Sequence, residues 1–178
     1  HGLKSQLNDA IDYLESLTNE YSDRNVADHD ERHAQGEAYS LSLITSAVGK
    51  MFSDEAREAG IEFTVECAEC QTRIPALALI RATSNLVANS LRHAEASKIS
   101  LAVSCDDRCR IVVADNGKGM DASTLELVLQ AGQKSPTSDG DGLGLAIVGE
   151  LADRYGVDLT VDSSPGRGTR TVLTLPAD

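Results

Sequence analysis

The hexapeptide Asp115-Asn116-Gly117-Lys118-Gly119-Met120 holds residues whose types and spacing suit a ligand site. Ile111, Val112, Val113 and Ala114 form an apolar run that delivers Asp115 to the end of a buried strand. Gly117 and Gly119 then let the backbone turn tightly beside a bound molecule. A carboxylate fixed at that point accepts a hydrogen bond from a purine's exocyclic amine. Asp-Asn-Gly is also a common turn sequence, so the weight rests on what accompanies it.

Two further constellations do. Asn85, Asn89, Arg92 and His93 stand at i, i+4, i+7 and i+8, so on a helix they share one polar face, while Leu79, Ile80, Val87 and Leu91 point elsewhere. An amide oxygen can ligate Mg²⁺, which takes oxygen ligands and shares them with substrate phosphates. Arg92 can pair with a phosphate oxygen. The same spacing also describes any solvated helix face. The third constellation is Ala131 to Gly144, AGQKSPTSDGDGLG, followed by Leu145, Ile147, Val148, Leu151 and Tyr155 at helical spacing. Gly140, Gly142 and Gly144 expose backbone N–H groups at a helix N-terminus, where the dipole favours anions such as phosphates. Flexible linkers share this composition.

These residues need elements to position them. The main domain begins near Ser40, an N-cap for a helix that buries Leu41, Ile44, Val48, Met51 and Phe52 and ends at Gly60. Ile61, Phe63 and Val65 alternate as a half-buried strand, and Pro75 fits the first turn of a helix running to about Ala94. Ile99, Leu101 and Val103 form a strand, the Asp115 strand follows, and Asp121 caps a helix with Leu125, Val128 and Leu129. Val157, Leu159 and Val161, a turn at 163–168, and Thr171, Leu173 and Leu175 form a closing hairpin. The order predicts an α+β sandwich of helices on a sheet. The strands at Ile61 and Ile99 should be parallel if they share that sheet, because a right-handed crossover joins them.

Residues 1–22 carry Leu3, Leu7, Ile11, Leu14, Leu17 and Tyr21 as one apolar helical stripe, and the acidic stretch 23–39 reads as a linker. Such a helix either packs on its own domain or dimerises. With 16 Lys plus Arg against 28 Asp plus Glu, the chain carries −12, which disfavours a nucleic-acid partner. No apolar run approaches the roughly 20 residues that a membrane-spanning helix needs.

In fixed order, NLVANSLRHA, DNGKGM and GDGLGLAIV resemble the N, G1 and G2 boxes of the GHKL ATPase superfamily, and VDSSPGRGTRTVLTLP resembles the closing hairpin of sensor histidine kinases. The likeness covers roughly Ser40 to Asp178. It implies a Bergerat-type two-layer α/β sandwich with a mixed sheet and helices on one face. It also implies ATP and Mg²⁺ as cofactors. By resemblance, Asn89 ligates Mg²⁺ and, with Arg92, serves phosphoryl transfer. Asn85, Arg92 and His93 line the phosphate and sugar side, Asp115 reads adenine, and Gly117, Gly119 and Met120 shape its pocket. Lys134, Gly140, Gly142, Leu143, Gly144, Leu145 and Thr169 complete the candidate nucleotide contacts.

One position discriminates within the superfamily. Gyrase-like ATPases and anti-sigma-type serine kinases carry Glu four residues before the Mg²⁺ asparagine; here that residue is Asn85, and an amide cannot act as a general base. The chain therefore resembles the catalytic domain of a two-component sensor histidine kinase. The partners implied are a phosphoacceptor helical hairpin, a homodimer in the full protein, and a response regulator. The location implied is cytoplasmic, without membrane contact by this segment. Alternatives are a non-catalytic GHKL-fold scaffold and an anti-sigma-type serine kinase. The glycine-rich loop at 131–144 lacks the Phe-containing stretch many sensor kinases carry before it. His1-Gly2-Leu3-Lys4 resembles the start of an acceptor helix only faintly, while the stripe to Tyr21 better resembles the end of the second hairpin helix.

Cys67 and Cys70 form C-x-x-C, and Cys105 and Cys109 flank a turn. If the Ile61 and Ile99 strands are neighbours, four sulfurs converge, as a Cys₄ zinc site or a redox pair requires; four reduced cysteines with no joint role are the commoner outcome in a cytosolic protein.

The loop from Gly132 to Asp141 has no apolar period, so without ligand it buries too little to offset backbone ordering of about 1–2 kcal/mol per residue. Hydrogen exchange across Gly132 to Leu145 is expected to show protection with ADP or a non-hydrolysable ATP analogue but not with adenosine. Equal protection in apo, adenosine and triphosphate states would remove the phosphate role of Gly142 and Gly144.

Overall fold

The computed structural model describes residues 38–132 and 143–177. The sequence expectations for the helix at 1–22, His1 and most of the linker at 23–39 fall outside them.

Ser40 ends a two-residue strand β1 (Tyr39–Ser40) and caps α1 (Leu41–Glu58), its hydroxyl accepting from Leu43 N–H at 3.5 Å. Gly60, at φ +70, turns the chain out of α1 into β2 (Glu62–Cys67). A second short strand, β3 (Gln71–Thr72), pairs with β1. Helix α2 (Ala76–His93) follows, with Pro75 at its N-cap rather than inside its first turn. Proline serves there because it lacks the N–H that a helix start leaves unsatisfied. Next come β4 (Lys98–Cys105), β5 (Cys109–Asp115), α3 (Ala122–Gly132), α4 (Leu143–Tyr155), β6 (Asp158–Ser163) and β7 (Thr169–Thr174). Asp121 caps α3, its Oδ1 accepting from Thr124 N–H at 2.7 Å.

The main sheet has the order β2-β4-β5-β7-β6. β2 and β4 run parallel, with Glu62 beside Lys98 and Cys67 beside Val103, as the crossover through α2 requires. The other neighbours are antiparallel, so the sheet is mixed. Ile99, Leu101, Val103, Ile111 and Val113 alternate onto one face and are buried. Helices α1, α2 and α4 cover that face, and α2 packs between the other two. Phe52, Leu79, Ile80, Leu101, Ile111, Val148 and Leu173 fill the interface at 2% exposure or less. This is the expected sandwich with helices on one face.

The structure corrects one detail. Val65 stays 37% exposed, because β2 is the edge of the sheet and only α1 covers it. Contact there is close: a Cβ on Gly49 of α1 would sit 2.7 Å from Val65 Cγ2.

The β6–β7 turn brings this sheet to the site. Gly166 and Gly168 both have positive φ, but a Cβ on Gly166 would meet open space while one on Gly168 would overlap the carbonyl of Asp115. Gly166→Ala should therefore cost only the backbone strain of about 1–3 kcal/mol, and Gly168→Ala distinctly more, since β7 must also move off β5. Urea unfolding of the two variants checks the order; equal losses would show that the approach to Asp115 is not constrained.

Candidate functional site

Asp115 is the last residue of β5, and protein donors hold its carboxylate in one orientation. Oδ1 accepts from the N–H groups of Gly117 (3.0 Å) and Thr169 (3.1 Å), and Oδ2 accepts from the Ser90 hydroxyl (2.8 Å). Three elements thus meet on one side chain: its own loop, β7 and α2. Four carboxylate lone-pair sites against three donors leave Oδ2 capacity for one more.

The loop after Asp115 is strapped on both sides. Asn116 Oδ1 accepts from the N–H groups of Ser97 and Lys98, so the asparagine of the motif is structural. A Cβ on Gly117 would overlap the Ala94 carbonyl at the end of α2, and Lys118 N–H donates to that carbonyl at 2.7 Å. Met120 N–H donates to Ser163 Oγ, and Gly166 N–H donates to the Lys118 carbonyl. Gly119, at φ +64, lies where a Cβ would overlap the carbonyl of Ser164. The glycines here let α2, the loop and the β6–β7 turn approach one another.

A cavity of about 390 Å³ opens above Asp115. Leu86, Met120, Val128, Leu145 and Val161 supply apolar walls, Ser90 and Thr169 hydrogen-bond the carboxylate, and Thr171 also lines the cavity. Asn89, His93 and Lys118 also line it. Lys118 Nζ lies 2.9 Å from Glu95 Oε1, which holds the Glu95 carboxyl below its usual range. The volume lies within the range of small-molecule sites, and the composition, mostly apolar with a few aimed polar groups, is also theirs.

The sequence-predicted residues divide. Asn89, His93, Asp115, Gly119, Met120, Leu145 and Thr169 line the cavity. Gly117 lies beside it as a packing residue. Asn85 and Arg92 do not line it. Asn85 Nδ2 donates to the Arg81 carbonyl at 2.6 Å, one turn back on α2. Arg92 Nε lies 3.7 Å from Glu55 Oε1 on α1. Lys134, Gly140 and Gly142 fall outside the described residues. Leu143 and Gly144 begin α4, next to Leu145 at the cavity wall.

Ser90 was not expected. It is 8% exposed and its hydroxyl reaches Asp115. The one signal in the sequence was a small hydroxyl residue beside Asn89, turned by about 100° around the helix toward the sheet. Lys118, Thr124 and Thr171 were also missed; Thr171 sits next to a motif-bearing strand and carries no pattern of its own.

The donor set suits a purine nucleotide with a hard cation. The cavity floor offers a fixed acceptor, the walls accept a flat apolar ring, and the Asn89 amide at the rim offers oxygen, the donor type Mg²⁺ takes.

The sensor histidine kinase ZraS of Klebsiella oxytoca is 33% identical over 141 residues, covering 76% of this chain and 30% of ZraS. The sensor-type histidine kinase PrrB of Mycobacterium tuberculosis is 35% identical over 98 residues, covering 53% of this chain and 22% of PrrB. The chain thus spans less than a third of the length of either relative. The solved structure of the mycobacterial sensor histidine kinase MprB superposes with a TM-score of 0.64 at 23% identity, over 79% of this chain and 97% of that one, and so shares the fold. Residues 75–178 match the family described as histidine kinase-, DNA gyrase B- and HSP90-like ATPase, and the chain belongs to that family.

Proposed function

We propose that residues 40–178 bind ATP with Mg²⁺ and act as the catalytic domain of a sensor histidine kinase, presenting the γ-phosphate to a histidine imidazole for relay to a response regulator. One observation carries the reading: a carboxylate fixed by three donors at the floor of an apolar cavity, with Asn89 and His93 at its rim. Adenine would lie against Leu86, Met120 and Val161, its exocyclic amine donating to Asp115 Oδ2. The sugar and phosphates would leave past Asn89 and His93 toward the N-terminus of α4, where backbone N–H groups favour anions.

Asn89 would hold Mg²⁺ through its amide oxygen. The ion when bound would neutralise developing charge on the phosphates. Asn85 would orient the same region, and Arg92, paired with Glu55 across an exposed gap, would turn to a phosphate when one is present. Lys134 and the glycines at 140, 142 and 144 would close the phosphate side. The γ-phosphate would pass to a histidine on a helical hairpin of a homodimeric full protein. Among the described residues lining the cavity, Asp115 is the only carboxylate, and its oxygens face the adenine side. A serine kinase or a hydrolase of this superfamily would carry a carboxylate base at position 85, where this chain has an asparagine. A scaffold would have no use for a polarised acceptor held at the base of an open cavity.

Asp115→Asn keeps the acceptor for Gly117 and Thr169 but turns an amide donor toward Ser90 and the adenine amine. ATP affinity should fall by about 10- to 150-fold, the value of a charge-assisted hydrogen bond of about 1.5–3 kcal/mol, while the thermal midpoint moves little. Calorimetry checks both, and unchanged ATP affinity would remove Asp115 from the site. For Asn89→Ala, affinity measured without Mg²⁺ should be largely retained, whereas the gain on adding Mg²⁺ and phosphorylation of an added histidine hairpin should be lost. Normal phosphorylation of that hairpin by the variant would defeat the metal assignment.

A further inference from the structure

All four cysteines of the chain lie at the end of the sheet remote from Asp115. Cys109 opens β5 and Asp115 closes it, which at about 3.4 Å per residue separates the two ends by about 20 Å. Cys105 and Cys109 are register partners across the β4–β5 hairpin, with their sulfurs 3.1 Å apart. Cys70 comes from a different segment, the turn after β2, and is 3% exposed. The sulfurs of Cys70, Cys105 and Cys109 all lie within 4.8 Å of one another. None is in a disulfide.

A buried cysteine acting as a small apolar side chain does not gather others around it. A disulfide would join two sulfurs at about 2.05 Å and leave the third without a role. Tetrahedral zinc, at about 2.3 Å from each sulfur, sets its ligand sulfurs about 3.8 Å apart; here Cys105 and Cys109 stand 3.1 Å apart and no pair in the group exceeds 4.8 Å. The backbone around the cluster is already tied down. The Cys70 carbonyl accepts from Leu41 N–H at 2.9 Å, the Cys109 carbonyl accepts from Leu175 N–H at 2.9 Å, and Cys70 Sγ lies 3.8 Å from the Ser104 carbonyl. Two segments far apart in sequence, the turn after β2 and the β4–β5 hairpin, therefore present thiols to one point. Cys67 belongs to the same C-x-x-C but its sulfur lies 3.0 Å from Thr45 Oγ1 on α1, away from the group.

We propose that Cys70, Cys105 and Cys109 form a thiolate site for Zn²⁺, separate from the nucleotide cavity. On binding, each thiol gives its proton to solvent and its sulfur to the metal; no electron is transferred. Soft sulfur donors select zinc over the hard Mg²⁺ proposed for the other end of the sheet. The ion would fasten the turn after β2 to the β4–β5 hairpin. Through the bond from Leu41 N–H to the Cys70 carbonyl, it would also brace the start of α1.

The test is a titration of the reduced protein with Co²⁺, then Zn²⁺. One equivalent of Co²⁺ should raise a near-ultraviolet thiolate-to-metal charge-transfer band together with the visible bands of tetrahedral Co²⁺, and Zn²⁺ should bleach both. Cys70→Ser, Cys105→Ser and Cys109→Ser should each weaken Zn²⁺ binding by more than the roughly 10- to 100-fold that loss of an outer-shell partner costs, with circular dichroism confirming the fold. Cys67→Ser should retain the charge-transfer band. No thiolate band in the reduced wild-type protein would overturn the site whatever the variants do, and so would serine variants that bind Zn²⁺ like the wild type. A protein that isolates metal-free with Cys105 and Cys109 joined, 2 Da lighter by mass, would replace it with a redox pair. ATP binding is measured independently, so neither result depends on the nucleotide reading.

Discussion

The fold converges on the need to hold one carboxylate against an apolar cavity. A charge taken from water is costly unless hydrogen bonds replace its hydration, and Asp115 receives them from Gly117, Thr169 and Ser90. Each donor constrains a different element. The Thr169 bond fixes where β7 leaves its turn, which forces Gly168 against the Asp115 carbonyl at a position only glycine can occupy. The Ser90 bond fixes the rotation of α2 over β5. The Gly117 bond curls the loop so that its next residue can strap onto Ala94.

Fixing the rotation of α2 has a consequence for the rim. Ser90 turned to Asp115 leaves Asn89, about 100° away around the helix, at the side of the cavity, and His93 one turn further along on the same side. Amide and imidazole are thus set relative to the carboxylate by helix geometry rather than by contacts of their own. The sheet supplies the rest. β5 lies at its centre between β4 and β7, so Asp115 stands on the most supported strand, while β2 lies at an edge.

What was legible in the sequence follows from the range of the interactions involved. The alternation at Ile99–Val103 and at Ile111–Val113 is local, and both strands could be read because one face of each is buried. Parallel pairing of β2 with β4 followed from the handedness of one crossover. The candidate site residues on α2 and the Asp115 loop were visible as spacing and resemblance. Strand order was not, and Val65 shows the result: the same alternating pattern is half covered in a central strand and exposed at an edge. The pair β1–β3 is too short to carry a period. Ser90 and the Glu55 partner of Arg92 depend on packing between elements distant in sequence, and nothing local announces either. Convergence of all four cysteine sulfurs was conditional on β2 and β4 being neighbours; they are, yet only Cys70, Cys105 and Cys109 meet, because the Cys67 sulfur turns to Thr45 on α1.

The chemistry best matched to this cavity also follows from what its rim carries. Phosphoryl transfer to water or to a serine hydroxyl requires a base, because the attacking oxygen is protonated and weakly nucleophilic near neutrality. An imidazole with an ordinary pKa of about 6.5 is already largely neutral at pH 7 and has a lone pair to offer. It needs orientation and charge neutralisation, not deprotonation. Among the described residues, the cavity lining has an amide at Asn89, an imidazole at His93 and an ammonium at Lys118, with Asp115 its only carboxylate, while the Asn85 amide stands one turn back on α2, outside the lining and bonded to the Arg81 carbonyl. On the proposed reading, the chain has an amide at Asn85 where a carboxylate base would serve a hydrolase or a serine kinase, and such a site is complementary to an acceptor that brings its own nucleophile, which is the physical content of reading Asn85 as the residue that separates a histidine kinase from those relatives.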